Sequence, residues 1–182
     1  MPQNDFFLFK LIQKWFLNKI FKHHVNNNYK IEEKMKIYVD GDACPVKAEV
    51  VRVAERHNTM VYIVSNAYMR LPDSPLVSRI VVDDGFDAAD NWIADRAVRD
   101  DLVITADIPL AHRCVQQGAS VIGPTGRPFD TQNIGNALAM RDLKSVLRES
   151  GEIRDHNPSF SKKDRSQFLQ QLELTIQEIK RR

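Results

Sequence analysis

Aspartates recur at the ends of apolar runs in this sequence. Asp40 and Asp42 close Ile37-Tyr38-Val39 as Asp40-Gly41-Asp42. Asp83 and Asp84 close Ile80-Val81-Val82, with Asp87 and Asp90 just beyond, and Asp107 follows Val103-Ile104-Thr105-Ala106. Carboxylates gathered at one edge repel each other unless a cation sits among them, and hard oxygen donors suit Mg²⁺ or Mn²⁺. Such ions, alone or paired, activate water and stabilise charge on a phosphoryl group. Each acid also has a plainer role. Asp40 before Gly41 can begin a turn, Asp42 can cap a helix starting near Pro45, and Asp87 and Asp107 can cap helices of their own. The combination says more than its members, because three strand ends bearing Asp point to a shared acidic site.

Other chemistries fit less well. Asp40-Gly41-Asp42 also resembles the opening of a haloacid-dehalogenase-like phosphatase, but Cys44 stands where that motif wants Thr or Val, and no downstream lysine in a suitable setting is evident. Cys44 precedes Pro45 at a helix start, where the dipole favours a thiolate, yet it has no evident base or second cysteine, and packing is its default role. Cys114 reads as core, and His57 and His112 as ordinary helix-end or surface residues. The loop Gly123-Pro124-Thr125-Gly126-Arg127-Pro128 matches no phosphate-cradling glycine pattern. Candidates for substrate contact are Asn66, Arg70 (in a loop beside Tyr68), Arg127 and Arg141. Arg141-Asp142 also reads as a buried pair, and Lys162, Lys163 and Arg165 are further cations. A basic rim around an acidic centre is what phosphodiester cleavage needs.

The elements that must position these residues alternate. Strands are expected at Lys36–Asp40, Met60–Ser65, Arg79–Asp83, Leu102–Ala106 and Ser120–Gly123, each a short apolar run suited to a sheet buried on both faces. Helices are expected over Pro45–His57, Asp87–Arg99, Pro109–Gln117 (stopped by Gly118), Asn133–Glu149 with a break near Ala139, and Asp164–Lys180, where Phe168, Leu169, Leu172, Ile176 and Ile179 form one stripe. Residues 66–78 hold Pro72 and Pro75 and read as a loop, and Ser159–Lys163 as a flexible joint. Strand–helix alternation implies an α/β fold with a parallel sheet, and such sheets bind ligands beyond the C-terminal ends of their strands, where strand order reverses.

Composition sets bounds. The chain has 182 residues and a formal net charge of +2, so any nucleic-acid site has to come from local patches rather than bulk charge. Two cysteines make no disulfide framework and fit a reducing compartment, hence a cytoplasmic location. Residues 1–34 differ in character. Aromatic and aliphatic residues from Phe6 to Phe21 interleave with Lys10, Lys14, Lys19 and Lys22. They read as an amphipathic helix for a membrane surface, as a helix packed on the domain or on a partner, or, preferred here, as sequence upstream of a true start at Met35.

From Met35 onward the chain resembles the uncharacterised YaiI/YqxD family of bacterial proteins. The stretches that carry the likeness are Tyr38-Val39-Asp40-Gly41-Asp42-Ala43-Cys44-Pro45, Val64-Ser65-Asn66, Gly85-Phe86-Asp87-Ala88-Ala89-Asp90, Val103-Ile104-Thr105-Ala106-Asp107-Ile108-Pro109-Leu110-Ala111, Asn136-Ala137-Leu138-Ala139-Met140-Arg141-Asp142-Leu143 and Asp164-Arg165. The resemblance implies a PIN-like domain over residues 35–182, a three-layer α/β/α fold with strand order 3-2-1-4-5 that sets Asp40 opposite Asp107. It also implies RNA cleavage supported by Mg²⁺ or Mn²⁺, with Asp40, Asp87 and Asp107 as the matching acids. A further acid often lies two positions after the last of these, where this chain has Pro109. Asp42, Asp90 or Asp84 are candidates to compensate. The expectation is therefore a divalent-metal-dependent phosphodiesterase, a ribonuclease, with Asp42 and Asp90 as supporting ligands. The alternatives are a non-catalytic module that binds RNA or protein on a degenerate nuclease fold, and a phosphatase of small metabolites.

Overall fold

A computed structural model describes residues 35–42, 44–83, 85, 87–152 and 159–182. Residues 1–34, with the readings attached to them, lie outside the described residues, as does Asp84. In chain order the elements are β1 Lys36–Asp40, α1 Lys47–His57, β2 Met60–Ser65, β3 Val77–Val81, α2 Ala88–Ala94, β4 Leu102–Ile104, α3 Ile108–Gln116, β5 Ser120–Ile122, β6 Pro128–Phe129, α4 Ile134–Glu149 and α5 Lys162–Arg181.

The strands pair in the order β3-β2-β1-β4-β5-β6. All ladders are parallel except β5–β6, which is antiparallel. The sheet thus has the expected order with one short strand added at its edge. Successive side chains of a strand point to opposite faces, and that alternation divides the core. Ile37 and Val39 of β1, with Leu102 and Ile104 of β4, meet Val50, Val53 and Ala54 of α1 and Phe168, Leu172 and Ile176 of α5. Tyr38 and Val103, one position out of phase, meet Ala89 and Ile93 of α2 and Leu110, Ala111 and Cys114 of α3. Helices on both faces of a mostly parallel sheet make three layers.

β1 and β2 fall where the sequence places them, because both are unbroken runs of β-branched and apolar residues. β3 begins and ends two residues earlier than expected, at Val77 and Val81, pairing Val61 with Val77, so Asp83 lies beyond the strand rather than at its end. β4 stops at Ile104, and the next residue, Thr105, gives its side chain to Asp40 on the neighbouring strand and to the Asp107 amide. β6 is a two-residue edge strand starting with proline, a residue tolerated at such edges. α2 ends at Ala94, short of the expected Arg99. α4 runs unbroken through Ala139, and Ile134 is its one buried residue.

α5 has no flexible lead-in at residues 161–163. Ser161 caps it: its Oγ accepts from the Asp164 amide, and the Asp164 carboxylate accepts from the Ser161 amide at 2.8 Å. Its polar side is clasped to α1. Arg165 reaches the buried Glu49 carboxylate at 2.8 Å, and Glu173 accepts from Arg56 at 2.9 Å and meets His57 Nε2 at 2.8 Å. Arg165 is therefore a structural cation, and His57 the satisfied helix-end residue expected of it.

Candidate functional site

The loop that follows β1 is held close to β2. Gly41 donates its amide to the Val64 carbonyl at 2.7 Å, and a Cβ on Gly41 would lie 2.8 Å from that same oxygen, so only glycine fits the approach. Lys47, in the first turn of α1, gives Nζ to the Gly41 carbonyl at 2.6 Å. A cation is poorly placed at a helix N-terminus, and this bond is its compensation. Asp42 does not cap α1, whose N-cap is Val46 with no side-chain cap bond. Its Oδ2 instead accepts from the Asn66 amide at 3.1 Å, joining the ends of β1 and β2.

Asp40 is buried at the C-terminal end of β1. The β1–β4 ladder sets Val39 opposite Ile104, which brings Asp40 to Thr105 rather than directly to Asp107. Thr105 Oγ1 donates to Asp40 Oδ2 at 2.9 Å and accepts from the Asp107 amide at 2.9 Å. Asp107 keeps its capping role, with Oδ1 accepting from the Leu110 amide at 2.7 Å at the start of α3. Pro109 sits in the first turn of that helix, where a missing N–H costs nothing.

Asp87 occupies the N-cap position of α2 in the left-handed region, φ 55°, and makes no cap hydrogen bond. Asp is among the few non-glycine residues that adopt this conformation, at some cost. Asp90, one turn further along α2, is half-buried. Asp40, Asp42, Asp87, Asp90 and Asp107 line one open cleft of about 390 Å³, together with Asn66 and Ala106. The acids named from sequence are thus brought together, Asp42 and Asp90 included. Asp83 does not line the cleft.

The electrostatics follow from that crowding. Burial pushes the Asp90 carboxyl up to about 6, and the charges of Asp107, Asp40 and Asp87 add to the rise while Arg113 opposes it. The Asp40 carboxyl is raised as well, chiefly by burial, against the Thr105 hydrogen bond and the Asp42 amide. Among the described residues no group of three or more His, Cys, Asp or Glu is drawn together closely enough to hold a metal ion as it stands. The acids line a cleft without closing on its centre.

The candidate substrate cations sit elsewhere. Arg127 and Arg141 line a second cleft of about 560 Å³, with Lys144 and Arg148, and Ala106 belongs to both clefts. Arg141 and Asp142 form an exposed pair at 3.1 Å, not a buried one, because α4 lies mostly in solvent. Arg70 is exposed and lines neither cleft. Both cysteines are free and buried, and burial pushes the Cys44 thiol up to about 11 and that of Cys114 up to about 12, which disfavours a thiolate. Thr105 and Lys47 were not singled out by residue type. Thr105 carried a local signal, a hydroxyl two residues before an acid at a helix start, which is the pattern of a side-chain turn.

A family model for the uncharacterised YaiI/YqxD proteins matches residues 38–178, a span that holds the whole acidic cleft. The chain belongs to the YaiI/YqxD family. Its relatives include the UPF0178 protein of Agrobacterium fabrum, 55% identical over 80% of this chain and 95% of the relative. The UPF0178 protein of Parvibaculum lavamentivorans is 57% identical over 81% of this chain and 97% of its own. That of Rhizobium etli is 60% identical over 74% and 86% respectively. No solved structure matches the chain. The YaiI/YqxD description carries no activity, so function rests on the cleft itself. Among the described residues no helix is long and apolar enough to cross a membrane.

Proposed function

We propose that this YaiI/YqxD protein is a divalent-metal-dependent phosphodiesterase acting on RNA from the acidic cleft, in the manner of a PIN-like nuclease. The observation that carries the reading is the gathering of Asp40, Asp42, Asp87, Asp90 and Asp107 on one cleft at the strand ends, with Asp90 pushed up to about 6 partly by its neighbours' charges. Such repulsion is relieved by a cation. The donor set is all carboxylate oxygen, which fits Mg²⁺ or Mn²⁺. The lack of a closed three-acid group is compatible with that fit, because Mg²⁺ keeps several waters and takes only one or two carboxylates, with substrate phosphate supplying the rest.

Asp40, Asp87 and Asp107 would hold the ion, with Asp42 and Asp90 in support. A bound Mg²⁺ or Mn²⁺ lowers the pKa of water and neutralises charge on the phosphoryl group. The chain's own residues do the positioning. Thr105 fixes one Asp40 oxygen and leaves Oδ1 clear of that bond, and the α3 cap fixes Asp107 Oδ1. Asp87, which makes no cap bond, is free to turn toward the cleft. Asp90 and Asp42 stand in for the acid that the PIN-like pattern places at Pro109.

Purified protein incubated with mixed-sequence RNA and Mn²⁺, beside Asp40→Asn, tests the reading. Metal-dependent cleavage lost in Asp40→Asn is expected, and no cleavage, or equal cleavage by the variant, overturns it. The open arrangement of the acids favours one second reading, a non-catalytic binding module. Titration with Mn²⁺ separates the two, since a binding module has no need to take up the ion at Asp40.

A further inference from the structure

The cleft next to the acidic one has an unusual wall. α4 presents Arg141, Lys144 and Arg148 to it, and Arg127 reaches it from the turn between β5 and β6. Positions i, i+3 and i+7 lie on one helix face, so the three α4 cations form a row about 10 Å long at 1.5 Å per residue. Ile108, Ala137 and Met140, the last 52% exposed, line the cleft as well, beside Asn136. Ala106 forms part of both this wall and that of the acidic cleft.

Most of this helix, α4, faces solvent. Ile134 is its one buried residue, and the contacts of Arg127 and Arg141 are with near neighbours in the chain. Arg141 pairs with its chain neighbour Asp142 at 3.1 Å, Arg148 Nε donates to the Lys144 carbonyl at 3.1 Å, and the Arg127 guanidinium lies 5.6 Å from the centre of the Phe129 ring.

We infer that this groove is the strand-binding track of the protein: it takes the sugar–phosphate backbone of single-stranded RNA and leads it past Ala106 into the acidic cleft. A row of cations complements a polyanion, and counter-ion release makes such contacts the main source of affinity. The apolar side chains that share the cleft with the cations suit unstacked bases, which a duplex keeps turned inward. The continuity through Ala106 selects a polynucleotide over an acidic protein, since a single polyanion with a scissile phosphate then spans both clefts. The direction of travel into the acidic cleft rests on the phosphodiesterase reading; binding in the groove does not.

The test is fluorescence anisotropy with the full chain in EDTA, using labelled single-stranded RNA of about 20 nucleotides, longer than one small binding site. Arg141→Gln/Lys144→Gln is compared with wild type and with Arg52→Gln, an exposed cation of α1 on the opposite layer. Wild type should bind, and log affinity should fall linearly with log salt. The double variant should bind at least about tenfold more weakly at low salt, with a slope shallower by about 1.4, from about 0.7 per lost contact. Arg52→Gln should match wild type. Binding by the double variant equal to wild type, no RNA binding by wild type, or equally effective competition by poly-glutamate each overturns the proposal. Groove binding without any cleavage refutes the phosphodiesterase reading alone, while cleavage undiminished in the double variant refutes the groove alone.

Discussion

Asp40 and Thr105 meet at the ends of adjacent parallel strands, with Oγ1 donating to Oδ2 at 2.9 Å, and the same hydroxyl oxygen accepts the Asp107 amide. One side chain therefore sets two acids of the cleft relative to each other. Both partners are buried, Asp40 at 8% and Thr105 at 1% exposure, so the hydroxyl cannot be replaced by bulk water.

Thr105→Val keeps the shape and removes the hydroxyl. It leaves a buried carboxylate oxygen and an amide without their partner, which costs about 1–3 kcal/mol. Asp40 should titrate at still higher pH, since the hydrogen bond now lowers it, and Mn²⁺ uptake at neutral pH should weaken. Thr105→Ser should restore most of both. Thermal unfolding and a Mn²⁺ titration check this. An unaltered metal affinity in a folded Thr105→Val protein would show that the hydroxyl does not position the acids.

Asp90 gives a pH signature. Its folded-state carboxyl lies at about 6, above the ordinary 3.8, so the folded protein holds a proton there that the unfolded chain has released. The penalty for ionising it is absent below about 3.8, grows between the two values, and is complete above about 6. The metal-free protein should therefore gain stability as pH falls from 7.5 toward 5.5, and Asp40 acts in the same direction. Asp90→Asn should raise the melting temperature at pH 7.5, by a gain on the order of 1 kcal/mol given partial solvent screening, and flatten the dependence. Mg²⁺ should reverse it, stabilising wild type more above pH 6 than below. Melting curves across this range, with and without Mg²⁺, check this, and a metal-free melting temperature that stays flat or falls as pH is lowered toward 5.5 would overturn it.

The parts legible in the sequence share a physical cause. β1 and β2 are runs whose side chains are apolar whichever face they meet, so pattern alone bounds them. The acids were legible by type and recurrence: each alone has a structural use, as Asp107 shows by capping α3, but several strand ends bearing Asp are less easily explained one by one. What was not legible depends on tertiary contact. Thr105 gives its hydroxyl to Asp40 because that carboxylate ends the neighbouring strand, and no local preference announces that. Lys47 is tethered by a carbonyl six residues earlier, across a turn. β6 is too short for a period to show, and the exposure of α4 follows from where the sheet ends, so Arg141 could be named as a substrate contact while being misread as buried. Arg70 drew notice through its loop, but that loop does not carry it to either cleft.

Gly41 tests the geometry of the strand end without touching a carboxylate. An added Cβ would sit 2.8 Å from the Val64 carbonyl and about as close to Met69 and Ile63. The backbone would have to move, stretching the 2.7 Å bond from the Gly41 amide and drawing Asp40 and Asp42 apart from β2. Gly41→Ala should destabilise by about 2 kcal/mol or more, in the range of strained close contacts, and should weaken Mn²⁺ binding more than a distant variant of equal stability such as a trimmed residue on α5. Wild-type stability in Gly41→Ala would show that the approach of the two loops is not obligatory.

The Glu49–Arg165 pair bears on how α5 is held, and so on the layer beneath β1. Glu49 is 4% exposed and Arg165 reaches it from the surface at 2.8 Å. Removing the cation alone leaves a buried carboxylate uncompensated, whereas removing both leaves no charge to desolvate. Arg165→Ala should therefore cost about 1–3 kcal/mol, less than a fully enclosed pair because the guanidinium is half in solvent. Glu49→Gln/Arg165→Ala should recover part of that loss, so the cycle shows coupling of about 0.5 kcal/mol or more. RNA binding should be unchanged in both, since the contact lies on the α1–α5 layer, away from the Arg141–Arg148 row. Denaturant unfolding of the four proteins measures the coupling; strict additivity would mean that Arg165 contributes nothing through Glu49, and weakened RNA binding would return it to the list of phosphate contacts.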